Sequence, residues 1–134
     1  MKNPAIRAAV ITHLKENISD VLTWFDGRPG NIDVSELPAI AVYVTDTRKT
    51  ADYLDEVSWS AVLHVELFLK AKATDTELDK FIETEVIPFM DSIPALDELL
   101  ESRDVIGYDY QRDDEMMYWG SADYQVSISY LTDK

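Results

Sequence analysis

The hydrophobic pattern predicts an α+β domain: one mixed, largely antiparallel sheet with its helices packed on one face. Three observations carry that expectation. A four-residue apolar period opens the chain, two-residue alternation fills its middle and its end, and helical periodicity returns between them after residue 74. With 134 residues, 46% of them hydrophobic, the chain is sized for one domain over residues 1–134 with one core. No internal repeat, low-complexity tract or long interior linker divides it.

Asn3 before Pro4 offers a helix cap and a pre-set first turn, and Ile6, Val10 and Leu14 follow at helical spacing, which predicts an amphipathic helix over 4–17. Val21 to Phe25 is β-branched and aromatic, and Asp26-Gly27-Arg28-Pro29-Gly30 must end it, so a short strand runs into a sharp turn. Ala39 to Val44 is apolar at every position, the mark of a strand covered on both faces. Residues 46–56 are polar and charged and are expected to form a loop, free to move or to meet a partner. Val57 to Leu69 alternates strictly apart from Val62 and Phe68 and predicts the longest strand.

Thr74-Asp75-Thr76-Glu77 has capping-box spacing, and Leu78, Phe81, Ile82 and Val86 continue a helix until Pro88 interrupts it. A second short helix is expected from Ile93-Pro94 through Leu100. Ile106, Tyr108 and Tyr110 alternate, as do Ala122, Tyr124, Val126, Ile128 and Tyr130, so two strands close the domain around a charged connection over 112–120.

The net charge is −14, and it is uneven: residues 1–74 hold eight basic and ten acidic side chains, residues 75–134 four and sixteen. Nucleic acid and anionic membrane attract proteins through Lys and Arg, so direct binding to either is not expected; proteins or cations are. The absence of cysteine excludes disulfides, thiolate zinc sites and a thiol nucleophile. No apolar run reaches the roughly 20 residues of a membrane span, and the expectation is a cytosolic product.

Candidate sites are few. Asp26 and Arg28 flank the first turn, where the guanidinium could take a partner's carboxylate in a planar two-point contact; without Gly-Lys-Ser/Thr the turn is no phosphate loop. Asp109, Arg112, Asp113, Asp114 and Glu115 crowd one connection, suited to a solvated acidic loop, an interface or weak divalent-cation contacts, without the spacing of a calcium-binding EF-hand loop. His64 and Glu66 share a strand face and could form a hydrogen bond or two metal ligands, too few for a structural metal even if His13 approached. Trp24, Trp59 and Trp119 lack a basic groove and read as packing residues. No catalytic signature such as Gly-x-Ser-x-Gly or His-Glu-x-x-His occurs, and no enzyme and no resident cofactor are expected.

Several separate segments together resemble the tail-terminator (minor tail protein U) family of lambda-like phages. They are Trp24-Phe25-Asp26-Gly27-Arg28-Pro29, Pro38-Ala39-Ile40-Ala41-Val42-Tyr43, Leu63-His64-Val65-Glu66-Leu67-Phe68-Leu69, Glu77-Leu78-Asp79, Ile93-Pro94-Ala95-Leu96, Gly107 through Asp114, and Trp119-Gly120-Ser121-Ala122-Asp123. The resemblance implies an α+β subunit of a hexameric ring that caps the tail tube. Its implied partners are other copies of itself, the tail-tube protein and a head-completion or connector protein, in a virion part assembled in the host cytoplasm. Loops 46–56 and 114–118 look least family-like. Magnesium held near the crowded carboxylates would promote assembly by local neutralisation. The alternative from composition is an acidic inhibitor that mimics DNA, with its carboxylates in a stripe on one face.

Overall fold

The computed structural model describes all 134 residues. Helix α1 (Lys2–Asn17) buries Ile6, Val10 and Leu14 completely, as the four-residue period demands. It starts before Asn3, whose side chain makes no cap. Asn3 instead accepts from the Tyr130 hydroxyl at 2.7 Å and reaches Thr47 at 3.4 Å, pinning the helix to the sheet.

Strand β1 (Thr23–Asp26) lies parallel to β2 (Ala39–Asp52), and a parallel pair needs a crossover rather than a tight turn. Residues 27–38 supply it as a strap across one face of the sheet. Gly27 starts the strap at φ +103, a conformation that a side chain would strain. Asp33 and Glu36 then brace it with a capping box around a 3-10 turn, Val34–Glu36.

Strand β3 (Glu56–Lys70) pairs antiparallel with β2 and with β5 (Trp119–Asp133), and β4 (Ser102–Arg112) pairs antiparallel with β5. The sheet order is β1-β2-β3-β5-β4, mixed and largely antiparallel as expected. Helices α1, α2 (Asp75–Phe81), α3 (Ile87–Met90) and α4 (Pro94–Asp97) all pack on one face, over Ile40, Val42, Leu63, Val65, Leu67, Ala122, Tyr124 and Val126. Ala39, Ala41, Tyr43 and Phe68 face the other way, under Ile32 and Leu37 of the strap. Both faces of 39–43 are therefore buried, and Phe68 breaks its strand's alternation because the strap covers it.

Four boundaries differ from expectation. Residues 46–56 are not a loop: β2 runs to Asp52 and β3 begins at Glu56, because pairing to β3 satisfies the backbone of a segment whose side chains remain in water. Pro88 does not stop the helix. A wide π turn, Ile82–Val86, intervenes, and Pro88 falls in the first turn of α3, where a missing N–H is tolerated. Helix α4 ends at Asp97 rather than Leu100. Ile106 is the extra residue of a bulge at Gly107 (φ +142), out of phase with Tyr108 and Tyr110 and 58% exposed.

Candidate functional site

Beyond the strap's apolar patch, the same sheet face carries a buried polar lattice. Strand alternation sends Tyr43, His64, Glu66, Ser121 and Asp123 to this face. Glu66 accepts from the Tyr43 hydroxyl at 2.7 Å and from Ser121 at 2.5 Å. His64 Nδ1 lies 2.9 Å from Asp123, its Nε2 lies 2.7 Å from Thr45, and Gln125 donates to Asp123 at 3.1 Å. The Tyr43 and His64 rings stack at 4.4 Å. Arg28 reaches back from the strap to sit over Tyr43, 5.6 Å from the ring centroid.

Burial pushes the Glu66 carboxyl above its ordinary range, and the hydrogen bonds from Ser121 and Tyr43 oppose that push only in part. Tyr43 is likewise raised, first by burial and then by its bond to Glu66. Every buried side-chain nitrogen and oxygen has a partner. Ser121 is fully buried with its hydroxyl committed to Glu66, which itself borders a small hollow of about 190 Å³ beside Arg28, Phe68 and Trp119. What the lattice can do is fix the register of β2, β3 and β5 and hold the strap through Arg28.

The residues singled out in the sequence are dispersed. Asp26 pairs with Arg7 of α1 at 2.6 Å, not with Arg28, so the first turn is tied to the helix layer on one side and to the lattice on the other. Arg112 bonds the Ala73 carbonyl at 2.9 Å and Asp75 at 2.6 Å, clamping the end of β4 to the start of α2; a side chain at Gly120 would collide with it. Asp113 accepts from the amides of Tyr118, Glu115 and Met116, which holds its carboxyl below the usual range, the Tyr118 amide contributing most. Asp109, Asp114 and Glu115 are exposed. The 113–118 connection faces the strap across an open cleft of about 670 Å³ lined by Ile32, Asp33, Asp113, Asp114, Glu115 and Trp119.

His64 and Glu66 do share a face, but each is bonded to different partners, and His13 lies in the helix layer on the other side of the sheet. No three His, Asp or Glu side chains converge as a metal site would require. The tryptophans pack as expected: Trp24 and Trp59 border the helix-side core, and Trp119 meets Phe68 edge-on at 4.9 Å.

Two groups of polar residues escaped the sequence reading. Asp123 and Ser121 sit on the polar side of an alternating strand, where water is the ordinary expectation; only their shared parity with His64 and Glu66 hinted at a lattice. Arg103 ties β4 to the helices through Asp97 at 2.7 Å and Asp91 O at 2.9 Å, and Tyr108 donates to Asp79 at 3.0 Å, contacts that no local pattern announces.

The model of a known family, phage minor tail protein U, matches residues 1–130. The tail tube terminator protein of Escherichia phage N15 is 44% identical over 130 residues, covering 97% of this chain and 98% of the relative. The tail tube terminator protein of Escherichia phage lambda matches with the same identity and coverage. An α+β domain with its buried polar side chains satisfied and a match along nearly its full length lead to one assignment: the chain belongs to the phage minor tail protein U family.

Proposed function

We propose that this protein is a structural component of a phage tail that ends tube growth by closing a six-membered ring on the finished tube and offering its other side to the head. The observation that carries the reading is the alignment, at 44% identity over 97% of this chain and 98% of each relative, to proteins named for tube termination. The fold supports it. A ring joined head to tail needs two different surfaces on each subunit, and closure consumes both, so growth stops sideways. This sheet has two unlike free edges, a four-residue β1 and an eleven-residue β4.

Six copies at −14 each bring −84 together, and repulsion between neighbours opposes closure. The field reaches about 30 Å at roughly 0.01 M salt and about 10 Å at roughly 0.1 M. The free subunit therefore stays largely monomeric in dilute buffer. Magnesium favours the ring beyond its ionic strength by gathering near Asp109, Asp114 and Glu115, with Asp113 already engaged by backbone amides. Asp26, Arg28 and Arg112 border the contact surfaces by holding the strap and the β4 end in place. Against an acidic DNA mimic stands the placement of carboxylates on both sides of the sheet, Asp79 and Glu83 in the helix layer and Asp104 and Asp109 on the opposite face.

The decisive experiment is deletion in the producing host. Overlong tubes without joined heads are expected in the lysate, and tails of normal length overturn the reading. Sedimentation velocity tests the cation clause: magnesium dependence unchanged in Asp113→Asn/Asp114→Asn clears this loop and leaves general screening.

A further inference from the structure

The strap side of the sheet holds a small hollow whose only cation is unpaired. It measures about 190 Å³, with Ile32, Phe68 and Trp119 in its wall and Arg28 at its side. Of the five arginines, Arg7, Arg48, Arg103 and Arg112 each have a carboxylate partner, whereas the exposed Arg28 has none. Glu66 is the one carboxyl in the wall, and its two oxygens are already taken by Tyr43 and Ser121. The hollow therefore offers room for one aliphatic side chain beside a free guanidinium.

The matching shape stands at the other end of the same strands. Register runs from Ala39 opposite Phe68 to Asp52 opposite Val57, so about a dozen residues, roughly 40 Å, separate the hollow from the β2–β3 turn. Hairpin turns favour Gly, Asn and Asp, yet Tyr53 and Leu54 occupy this one, 56% and 90% exposed. The turn is held in shape: Asp52 takes Lys134 at 2.7 Å and Lys49 at 3.5 Å, and the amides of Tyr53 and Lys134 bond the carbonyls of Glu56 and Asp55. Asp55 and Glu56 themselves join no ion pair.

We propose that the turn of one copy docks in the Arg28 hollow of a second copy, with Leu54 in the hollow and Asp55 and Glu56 on the guanidinium. The inference rests on the terminator reading and deepens it by naming the contact that closes the ring. Because turn and hollow lie at opposite ends of the strands, one chain cannot fill its own hollow, and the contact runs head to tail. Each open chain of copies then keeps one spare turn and one spare hollow, which closure consumes. A turn already held in shape loses little conformational freedom on docking, so one apolar anchor and one charge pair suffice. The hollow beside Lys2 is the poorer receiver: Lys2 donates to the Leu99 carbonyl and also borders a wider hollow lined by Glu56, Glu98, Glu101 and Asp133, which repel an acidic turn. Asp114 and Glu115 line the cleft next to the Arg28 hollow but not the hollow itself, and magnesium that neutralises them strengthens the contact.

Sedimentation velocity of the full chain in magnesium tests the contact with one variant on each side. Tyr53→Ser/Leu54→Asp removes the apolar turn, and Gly30→Phe narrows the hollow from a position where a side chain meets nothing within 4 Å. Both should melt as wild type does and self-associate at least tenfold more weakly. Mixed in equal amounts they should form a dimer and nothing larger, because one sound turn still meets one sound hollow. Arg28→Glu and Asp55→Lys/Glu56→Lys, each weak alone, should assemble together, since every turn then finds a hollow of opposite charge. Assembly of either one-sided variant at wild-type strength, mixtures as monomeric as their parts, or wild type that stays monomeric in magnesium overturns the proposal. The terminator reading is judged separately, by tube length in the deletion lysate.

Discussion

The two faces of the sheet are closed by different physics. On the helix side, aliphatic side chains from α1, α2, α3 and α4 interdigitate with three strands and bury Leu63, Val65 and Leu67 completely. On the strap side, a small aromatic patch gives way to carboxylates, an imidazole and hydroxyls that satisfy one another. Apolar packing is nondirectional and supplies most of the stability; the hydrogen-bonded lattice is directional and punishes a wrong register. A one-residue slip of β3 would send His64 and Glu66 into the aliphatic core.

Val42→Asp attacks the helix side most directly. The residue is fully buried, so an unpaired carboxylate there should cost about 4 kcal/mol or more in urea unfolding. A variant that melts like wild type would remove β2 from the core. Leu63→Ala, which leaves a cavity on the same face, should cost about 2–5 kcal/mol.

Tyr43→Phe probes the strap side without changing its volume much. It strips Glu66 Oε1 of its 2.7 Å donor and should cost about 1–3 kcal/mol. Stability equal to wild type would mean that the lattice is dispensable and that the contrast between the faces is false.

The pH dependence sharpens the comparison because only the strap side buries a carboxylate lattice. With Glu66 held above its ordinary value of 4.5, the folded protein keeps this proton to higher pH than the unfolded chain. The resulting stabilisation is full below that value and is lost as pH rises through the folded one. Glu66→Gln has no proton to lose, so its stability relative to wild type should improve as pH rises above about 4.5. Parallel profiles would show that Glu66 is not the group responsible.

The smallest effect belongs to the connection. Asp113, held below its ordinary 3.8, stabilises its turn above that value and loses the contribution as pH falls through its folded value. Asp113→Asn should leave the melting temperature nearly unchanged while speeding hydrogen exchange at Glu115, Met116 and Tyr118. Exchange as slow as wild type would show that the turn stands without the carboxylate.

Periodicity by itself determined the class of the buried elements, because burial against one layer leaves a record at each second or fourth residue. Ile6, Val10 and Leu14, the strand from Val57 to Leu69, and the capping box at Thr74 were legible for that reason. So was the double burial of Ala39 to Tyr43, where an all-apolar run has no face to spare for water, Val44 being half-buried. Family membership was legible too, since it rests on segments rather than on contacts. Tertiary structure decided what has no local signature. Residues 46–56 read as a loop because an exposed hairpin is polar on both faces, and only backbone pairing with the start of β3 makes it strand. Asp123 sits where water is the ordinary expectation, and only the fold brings His64 and Gln125 against it. Asp26 found Arg7, and Arg112 found Asp75, because ion pairs between distant segments depend on where the backbone brings their ends, and sequence spacing carries no information about that distance.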